Sequence, residues 1–313
     1  MSFPRLRGTH SRREGEIGAI REWVNDHFML VVLGPSLAVL GSLVVLPLFY
    51  LVQTSMVQTT FTTTEFVGLQ NYRIVLTDPA FYNALQVTLI YMVGTTTLAF
   101  TIGFIIALAL NQFSSRRFRA PFLTAVLLAW AVPQIVGALV WRFMLNSQYG
   151  LINAILIEFG IVSEGIAFLS DPTWAMVLII LADSWARAPF AMIILLAGLQ
   201  TIPQHLYEAA TVDGATDFMK FRDITLPNIK GSAGVALLIM SMFSFRTFSI
   251  AFGLTKGGPG GATELLAILV YQAGITELRL GYAAAISVIM ILITVFFITI
   301  YVYVMQEDAV QTA

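Results

Sequence analysis

The sequence predicts an all-α membrane protein of six transmembrane helices with both termini in the cytoplasm. Three observations carry this. Of 313 residues, 58% are hydrophobic and 11% charged, against about 25% charged in a soluble domain, and the mean hydropathy is +0.82. Six apolar stretches reach the roughly 20 residues needed to cross a hydrocarbon core about 30 Å thick. Lysines and arginines crowd into alternate loops, as the positive-inside rule requires of a multi-pass chain.

The elements follow in order. Residues 1–28 form an expected cytoplasmic segment with Arg5, Arg7, Arg12, Arg13 and Arg21. Within it Ile17, Ile20, Val24 and Phe28 recur at helical spacing between polar residues. That pattern fits a helix lying on the inner membrane surface; a frayed tail is the alternative. Span 1 covers 29–53; its apolar run is long and no small-x-small cleavage site follows, so it reads as a span and not as a signal peptide. Span 2 covers 84–111 and is followed by Arg116, Arg117 and Arg119. Span 3 covers 121–144, with Arg142 near its outer end, where a long side chain snorkels. Span 4 covers 174–198 and contains Pro189, which removes a helix hydrogen bond and is expected to kink it. A polar loop over 199–232 holds Lys220, Arg222 and Lys230, before spans 5 (233–254) and 6 (281–304) and a cytoplasmic tail, 305–313. The opposite loops hold only Arg73, Lys256 and Arg279. A single membrane domain over 29–304 results.

Composition excludes several functions. A net charge of −1 offers nucleic acid no basic surface, so no nucleic-acid partner is expected. The absence of cysteine excludes disulfides, thiol catalysis and cysteine-ligated metals. His10, His27 and His205 are far apart and lack ligand spacing, so no metal site is expected. No Ser/His pair or paired catalytic carboxylates occur, and no G-x-x-x-x-G-K-[ST] phosphate loop. The chain reads as neither an ATPase nor another enzyme, and no cofactor of its own is expected.

Two features remain to be explained. Charged groups within spans are costly and face a cavity or a partner. Asp183 and Arg187 stand four residues apart in span 4, acid before base, the favoured order on one helix face; they either neutralise each other and pin the bundle or line a solute path. Arg246 lies within span 5. The second feature is the loop after span 4. Thr201-Ile-Pro-Gln204 fits a capping box, and Pro203 is tolerated in a first turn. A helix starting there carries Leu206, Tyr207, Ala209 and Ala210, whose adjacent alanines leave its backbone open to a close partner. Gly214 permits a turn. Phe218, Phe221 and Ile224 recur as in a second short helix packed beneath the bundle, and Pro227 is expected to break the pattern before span 5. Farther on, Gly257–Gly261 around Pro259 specify a tight turn on the outer face, a plain connection or a contact for a solute-loaded binding protein.

The order E-A-A, three residues, Gly, nine residues, I-x-L-P is filled by Glu208, Ala209, Ala210, Gly214, Ile224, Leu226 and Pro227. It resembles the EAA loop of ABC importer membrane subunits, which docks on a cytoplasmic ATPase. Leu254-Thr-Lys-Gly-Gly-Pro-Gly-Gly-Ala-Thr263, with Leu265 and Tyr271, is similar to the L-T-x-G-G-P…T…Y stretch of carbohydrate-uptake ABC permeases of the maltose and glycerol-phosphate type. Phe66–Tyr72, Asp78–Phe81 and the run from Tyr149 through Asp171-Pro172 to Trp185 resemble the same permeases, so the resemblance spans about 30–304. It implies the type I ABC importer permease fold in a prokaryotic cytoplasmic membrane. It also implies a second homologous permease, two ABC ATPase subunits that use ATP and Mg, an extracytoplasmic solute-binding protein and a sugar substrate. Tyr207 and Asp213 join the EAA residues as the implied ATPase-coupling set. Aligned through the A-V-P, D-P, Trp and E-A-A anchors, the family's sugar contacts fall on Trp130, Gln134, Asp183, Ala186, Arg187, Phe190, Met240, Ser244 and Thr247, with Arg246 added as an anion contact. Ala186, Arg187 and Met240 depart from the maltose-type residues, so a maltose site is not implied. The expected solute is a di- or oligosaccharide such as trehalose, with glycerol phosphate or another polyol as the alternative. A proton-coupled transporter working through Asp183 is the rival, and it leaves residues 208–227 unexplained.

Overall fold

The computed structural model describes residues 27–59, 63–113 and 115–311. The surface helix expected before span 1 lies outside these, Phe28 excepted. The chain divides into two units, 1–54 and 55–313. The first contributes helix α1 (Phe28–Ser55), which runs through Pro35 and Pro47. Its Val32–Ser55 portion has a mean hydropathy of 2.1 and is long enough to cross a membrane.

The second unit opens with an unanticipated hairpin. Strands β1 (Val57–Thr59) and β2 (Thr64–Phe66) pair antiparallel, with Val57 opposite Phe66 and Gln58 opposite Glu65. The segment is rich in threonine, whose branched Cβ suits a pleated strand. A short helix α2 (Gln70–Thr77) follows. The long helices α3 (Pro79–Asn111) and α7 (Pro172–Thr201) then begin on the same device. Asp78 accepts from the Ala80 amide at 2.8 Å, and Asp171 accepts from Thr173 and Trp174 at 2.9 Å each. The proline after each aspartate occupies the first turn, where it loses no helical hydrogen bond. Both helices therefore start a few residues before the apolar runs. They pack closely: a Cβ on Gly103 would lie 2.7 Å from the Ala188 carbonyl oxygen and 2.8 Å from Ala191 Cβ.

Expected span 3 is not one helix. It is α4 (Arg116–Ala131) and α5 (Gln134–Met144), bent by 91°. Pro133 forces Val132 into an extended conformation, ψ 125, because its ring excludes helix from the preceding residue. Pro189, where the kink was expected, leaves α7 uninterrupted to Thr201. Among the described residues the long helices give five candidate spans, or six with the bent pair taken as one.

Span 5 also differs. Helix α10 (Leu226–Phe245) stops at Arg246, and α11 (Ser249–Thr255) starts anew after Thr247 and Phe248. Pro227 does not end the preceding pattern but sits in the first turn of α10. The π turn Phe221–Thr225 lies directly before it, with the Leu226 amide donating to the Phe221 carbonyl. This wider turn displaces the carbonyl that the proline ring would strike. The remaining helices are α6 (Leu151–Glu158), α8 (Gln204–Val212), α9 (Asp217–Lys220), α12 (Leu266–Tyr271) and α13 (Leu280–Gln311). The last continues into the expected tail as far as Gln311.

One end of the second unit is stapled by polar contacts between segments far apart in sequence. The Tyr282 hydroxyl donates to Asp78 Oδ2 at 2.7 Å, and Asn83 Nδ2 donates to the Gly261 carbonyl at 3.1 Å. The other end carries α8, α9 and the π turn, seated on a buried cluster that includes Leu195, Leu199, Ile202 and Ile229.

Candidate functional site

The two helix breaks meet at one cavity of about 690 Å³. Trp130, Val132, Pro133 and Gln134 reach it from the α4–α5 break, and Arg246, Thr247, Phe248 and Ser249 from the α10–α11 break. Ala186, Arg187 and Phe190 of α7 and Met240 and Phe243 of α10 complete the lining. Interrupted backbone at membrane depth is tolerated where it is buried in protein or borders a polar cavity.

Aromatic rings form one wall. Trp130 is 55% exposed and stacks on Phe190 with centroids 6.1 Å apart, while Phe243 lies 5.8 Å from Phe190. A polar chain runs alongside them. The Tyr91 hydroxyl and Arg187 Nε each donate to Asp183 Oδ2 at 2.6 Å. Arg187 Nη2 donates to Thr247 Oγ1, whose hydroxyl donates to the Phe243 carbonyl at 2.9 Å. The Arg187 guanidinium also lies over the Phe243 ring, 5.8 Å from its centroid. Arg187 is thus held by a carboxylate behind it and a hydroxyl beside it, and turned toward the cavity.

The structure gathers eight of the expected solute contacts at this cavity: Trp130, Gln134, Ala186, Arg187, Phe190, Met240, Arg246 and Thr247. It withdraws two. Asp183 and Ser244 are 0% exposed and lie behind the wall; Tyr91 and Arg187 share one Asp183 oxygen. The i,i+4 spacing therefore makes an ion pair, with only the arginine on the cavity side. Sequence reasoning missed Phe243, Phe248, Ser249 and Tyr91. Phe243 was recoverable, since 240, 243 and 247 share one helical face. Tyr91 has no local signal; it meets Asp183 from 92 residues away. A second pocket, about 360 Å³ and largely apolar, lies between α3, α10 and α13 beside Leu237, Met242, Phe297 and Tyr301.

At the far end, α8 stands apart from the bundle on a narrow foot. Leu206, Tyr207 and Ile224 pack on the cluster beneath, and Tyr207 and Thr225 share a hydroxyl hydrogen bond of 2.9 Å. The expected capping box does not form. Thr201 still belongs to α7 and its hydroxyl returns to the Gly198 carbonyl at 2.8 Å, leaving Pro203 as the N-cap of α8. The C-terminus closes as a Schellman turn. Ala215 donates to Ala210 at 2.8 Å and Gly214 to Thr211 at 3.1 Å; Gly214 adopts φ 78, which favours glycine. Of the expected coupling residues, Tyr207 and Ile224 face inward. Glu208, Ala209, Asp213, Gly214, Leu226 and Pro227 are exposed, and Ala210 is half-buried. Phe221 packs near Phe104, centroids 6.2 Å apart, but Phe218 does not share its face and is 68% exposed.

A multi-pass helical membrane protein with a cavity at helix breaks and a small helix projecting at one end is the architecture of a transport permease. Residues 99–307 match the family described as the binding-protein-dependent transport system inner membrane component. The chain belongs to that family and is a non-catalytic permease subunit of an ABC transporter. It is 34% identical over 280 residues to the sulfoquinovosyl glycerol transport system permease of Agrobacterium fabrum, covering 88% of this chain and 90% of that one. It is 40% identical over 239 residues to the trehalose/maltose transport system permease of Thermococcus litoralis, covering 75% and 78%. Its fold is that of a chain in a bacterial ABC transporter involved in alginate import, with TM-score 0.80 and 22% identity over 92% of this chain and 99% of that chain.

Proposed function

We propose that this chain is the membrane-spanning permease of an ATP-driven, binding-protein-dependent sugar importer in a prokaryotic inner membrane. The observation that carries the sugar reading is the cavity, which brings the aromatic rings of Trp130 and Phe190 together with the hydrogen-bonding groups of Gln134, Arg187 and Thr247. Aromatic rings cover the apolar face of a pyranose, and these polar side chains satisfy its hydroxyls. A di- or oligosaccharide such as trehalose is the preferred substrate, in keeping with relatives named for sugar and glycoside transport. Arg246 favours a second reading, glycerol phosphate or another phosphorylated polyol.

The membrane domain, 29–304, forms the pathway together with a second homologous permease. Loop 199–232 faces the cytoplasm, as do both termini. Its helix α8 seats on one of the two ABC ATPase subunits, with Glu208, Ala209 and Asp213 outermost. ATP and Mg act only at those ATPases. ATP binding draws the α8 helices of the two permeases together and opens the cavity outward to a solute-loaded binding protein; hydrolysis returns it inward. Each ligand shifts the cycle by its differential affinity for one state.

The test is ATPase stimulation of the complete complex in lipid nanodiscs with its binding protein and a panel of sugars and glycerol phosphate. Stimulation by a disaccharide supports the first substrate reading, and stimulation by glycerol phosphate alone replaces it with the second. An intact, ATP-hydrolysing complex that no member of the panel stimulates refutes the sugar assignment.

A further inference from the structure

The cavity is electrostatically one-sided. Its charged lining residues are Arg187 and Arg246, and among the described residues no carboxylate lines it. Arg187 is already compensated by the buried carboxylate of Asp183 at 2.6 Å. Asp183 is in turn fixed by the hydroxyl of Tyr91, which is fully buried. That network commits the acid behind the wall to Arg187 and leaves the wall's second cation unmatched. Arg246 caps the C-terminus of α10 at the helix break, is exposed toward the cavity, and forms no ion pair among the described residues.

An uncompensated guanidinium within a membrane domain is costly unless a water-filled path or an anion meets it. Its planar fork of donors matches carboxylate, sulfonate or phosphate oxygens in pairs. Apart from Arg187, the groups that share the cavity with it are neutral: Gln134, Thr247 and Ser249 offer hydrogen bonds, and Trp130 and Phe190 offer a stacking wall. We propose, resting on the sugar reading above but with an acidic sugar in place of neutral trehalose, that the transported solute is a monoanionic glycoside whose acidic group pairs with Arg246 while its ring rests on Trp130 and Phe190. Within this chain one cavity cation has no carboxylate beside it, which a single anionic group would meet, and the aromatic rings suit a sugar ring.

The test measures binding to the complete transporter in nanodiscs, held with a non-hydrolysable ATP analogue and without the binding protein, so that the binding protein's own selectivity does not enter. The probes are a radiolabelled disaccharide ending in glucuronic acid, the same disaccharide with glucose in that place, and glycerol phosphate. The acidic disaccharide should bind about tenfold more tightly than the neutral one, the difference between a charge-assisted pair and a neutral hydrogen bond. Arg246→Gln should bring that ratio to about one, and Arg246→Lys should keep most of it. Equal binding of the two disaccharides, or an Arg246→Gln loss that falls equally on both, overturns the anion assignment and leaves the sugar reading standing. Binding of glycerol phosphate alone, abolished by Arg246→Gln, overturns the glycoside and keeps the anion role. Binding of none overturns both.

Discussion

The ion pair behind the cavity wall is the most informative place to perturb the protein. Asp183 accepts from Tyr91 and Arg187 at 2.6 Å each, and both Asp183 and Arg187 are buried. Asp183→Leu removes two charge-assisted hydrogen bonds and strands a buried guanidinium. Breaking a buried pair in this way costs about 3–5 kcal/mol. Interhelical hydrogen bonds in membranes are weaker, about 0.6 kcal/mol on average and roughly 1.7 at most, so Tyr91→Phe, which leaves the ion pair in place, should cost about 1 kcal/mol. Replacing both charges, Asp183→Leu with Arg187→Met, removes the stranded ion and should return stability to within about 1 kcal/mol of the parent. Arg187→Met alone strands the buried Asp183 carboxylate and should cost about as much as Asp183→Leu, so the coupling energy of the cycle is at least about 5 kcal/mol in magnitude. Thermal unfolding of the intact complex in nanodiscs reads these differences, and uptake is measured on the same preparations. The double variant should be stable but transport-deficient, because Arg187 lines the cavity and a methionine side chain in its place cannot hydrogen-bond a solute. A double variant as unstable as Asp183→Leu alone, or a single variant of parental stability, refutes the compensation argument.

Other consequences follow from the packing and the loops. Gly103→Leu places side-chain atoms against the Ala188 carbonyl, only 2.7 Å from a Cβ there; overpacking of this kind costs about 1–3 kcal/mol and should lower the melting temperature of the complex. Glu208→Lys, on the exposed face of α8, and Gly214→Asp, at φ 78, should abolish sugar-stimulated ATP hydrolysis while the complex still assembles, as size-exclusion chromatography checks. In the loop before α12, burial and then the nearby Glu277 hold the Glu264 carboxyl above the ordinary glutamate range. A raised pKa means that the protonated form is the better tolerated one when folded. Its contribution to stability is full below the ordinary carboxyl range and is lost as pH rises through the raised value. Glu264→Gln should therefore raise the melting temperature at neutral pH and flatten its dependence on acidification.

Hydropathy and length located α1, α3 and α7 closely, because apolar side chains of spanning length have few other places to go, whereas span 5 was carried across the break at Arg246. The starts of α3 and α7 were missed by a few residues although Asp78-Pro79 and Asp171-Pro172 announce them; a hydropathy window does not weigh a polar cap. The harder failure was choosing between prolines. Pro133 and Pro189 both lie in apolar runs, yet only the former breaks its helix. The difference is tertiary, since α7 is packed on both α3 and α10 along its length while Val132 and Pro133 border the cavity. The same limit explains Asp183. Its spacing from Arg187 was legible as a pair, but which partner faces the cavity depends on Tyr91, whose approach is a matter of helix packing. The resemblance named Met240, Ser244 and Thr247 as solute contacts; Met240 and Thr247 border the cavity with Phe243 between them, and Ser244 is buried behind it. In the coupling segment the residue order was plain, but the footing of α8 on Tyr207 and Thr225 required the π turn, which no simple helical period reveals.

The claim at the centre is that solute passes through the cavity between the two helix breaks. A photoreactive analogue of whichever sugar stimulates ATP hydrolysis, crosslinked within the complete transporter and mapped by mass spectrometry, tests it directly. Label should appear on peptides containing Trp130–Gln134, Ala186–Phe190 and Phe243–Ser249, and excess unlabelled sugar should remove it. Competable label confined to the apolar pocket around Leu237, Met242, Phe297 and Tyr301, with none at the breaks, contradicts it.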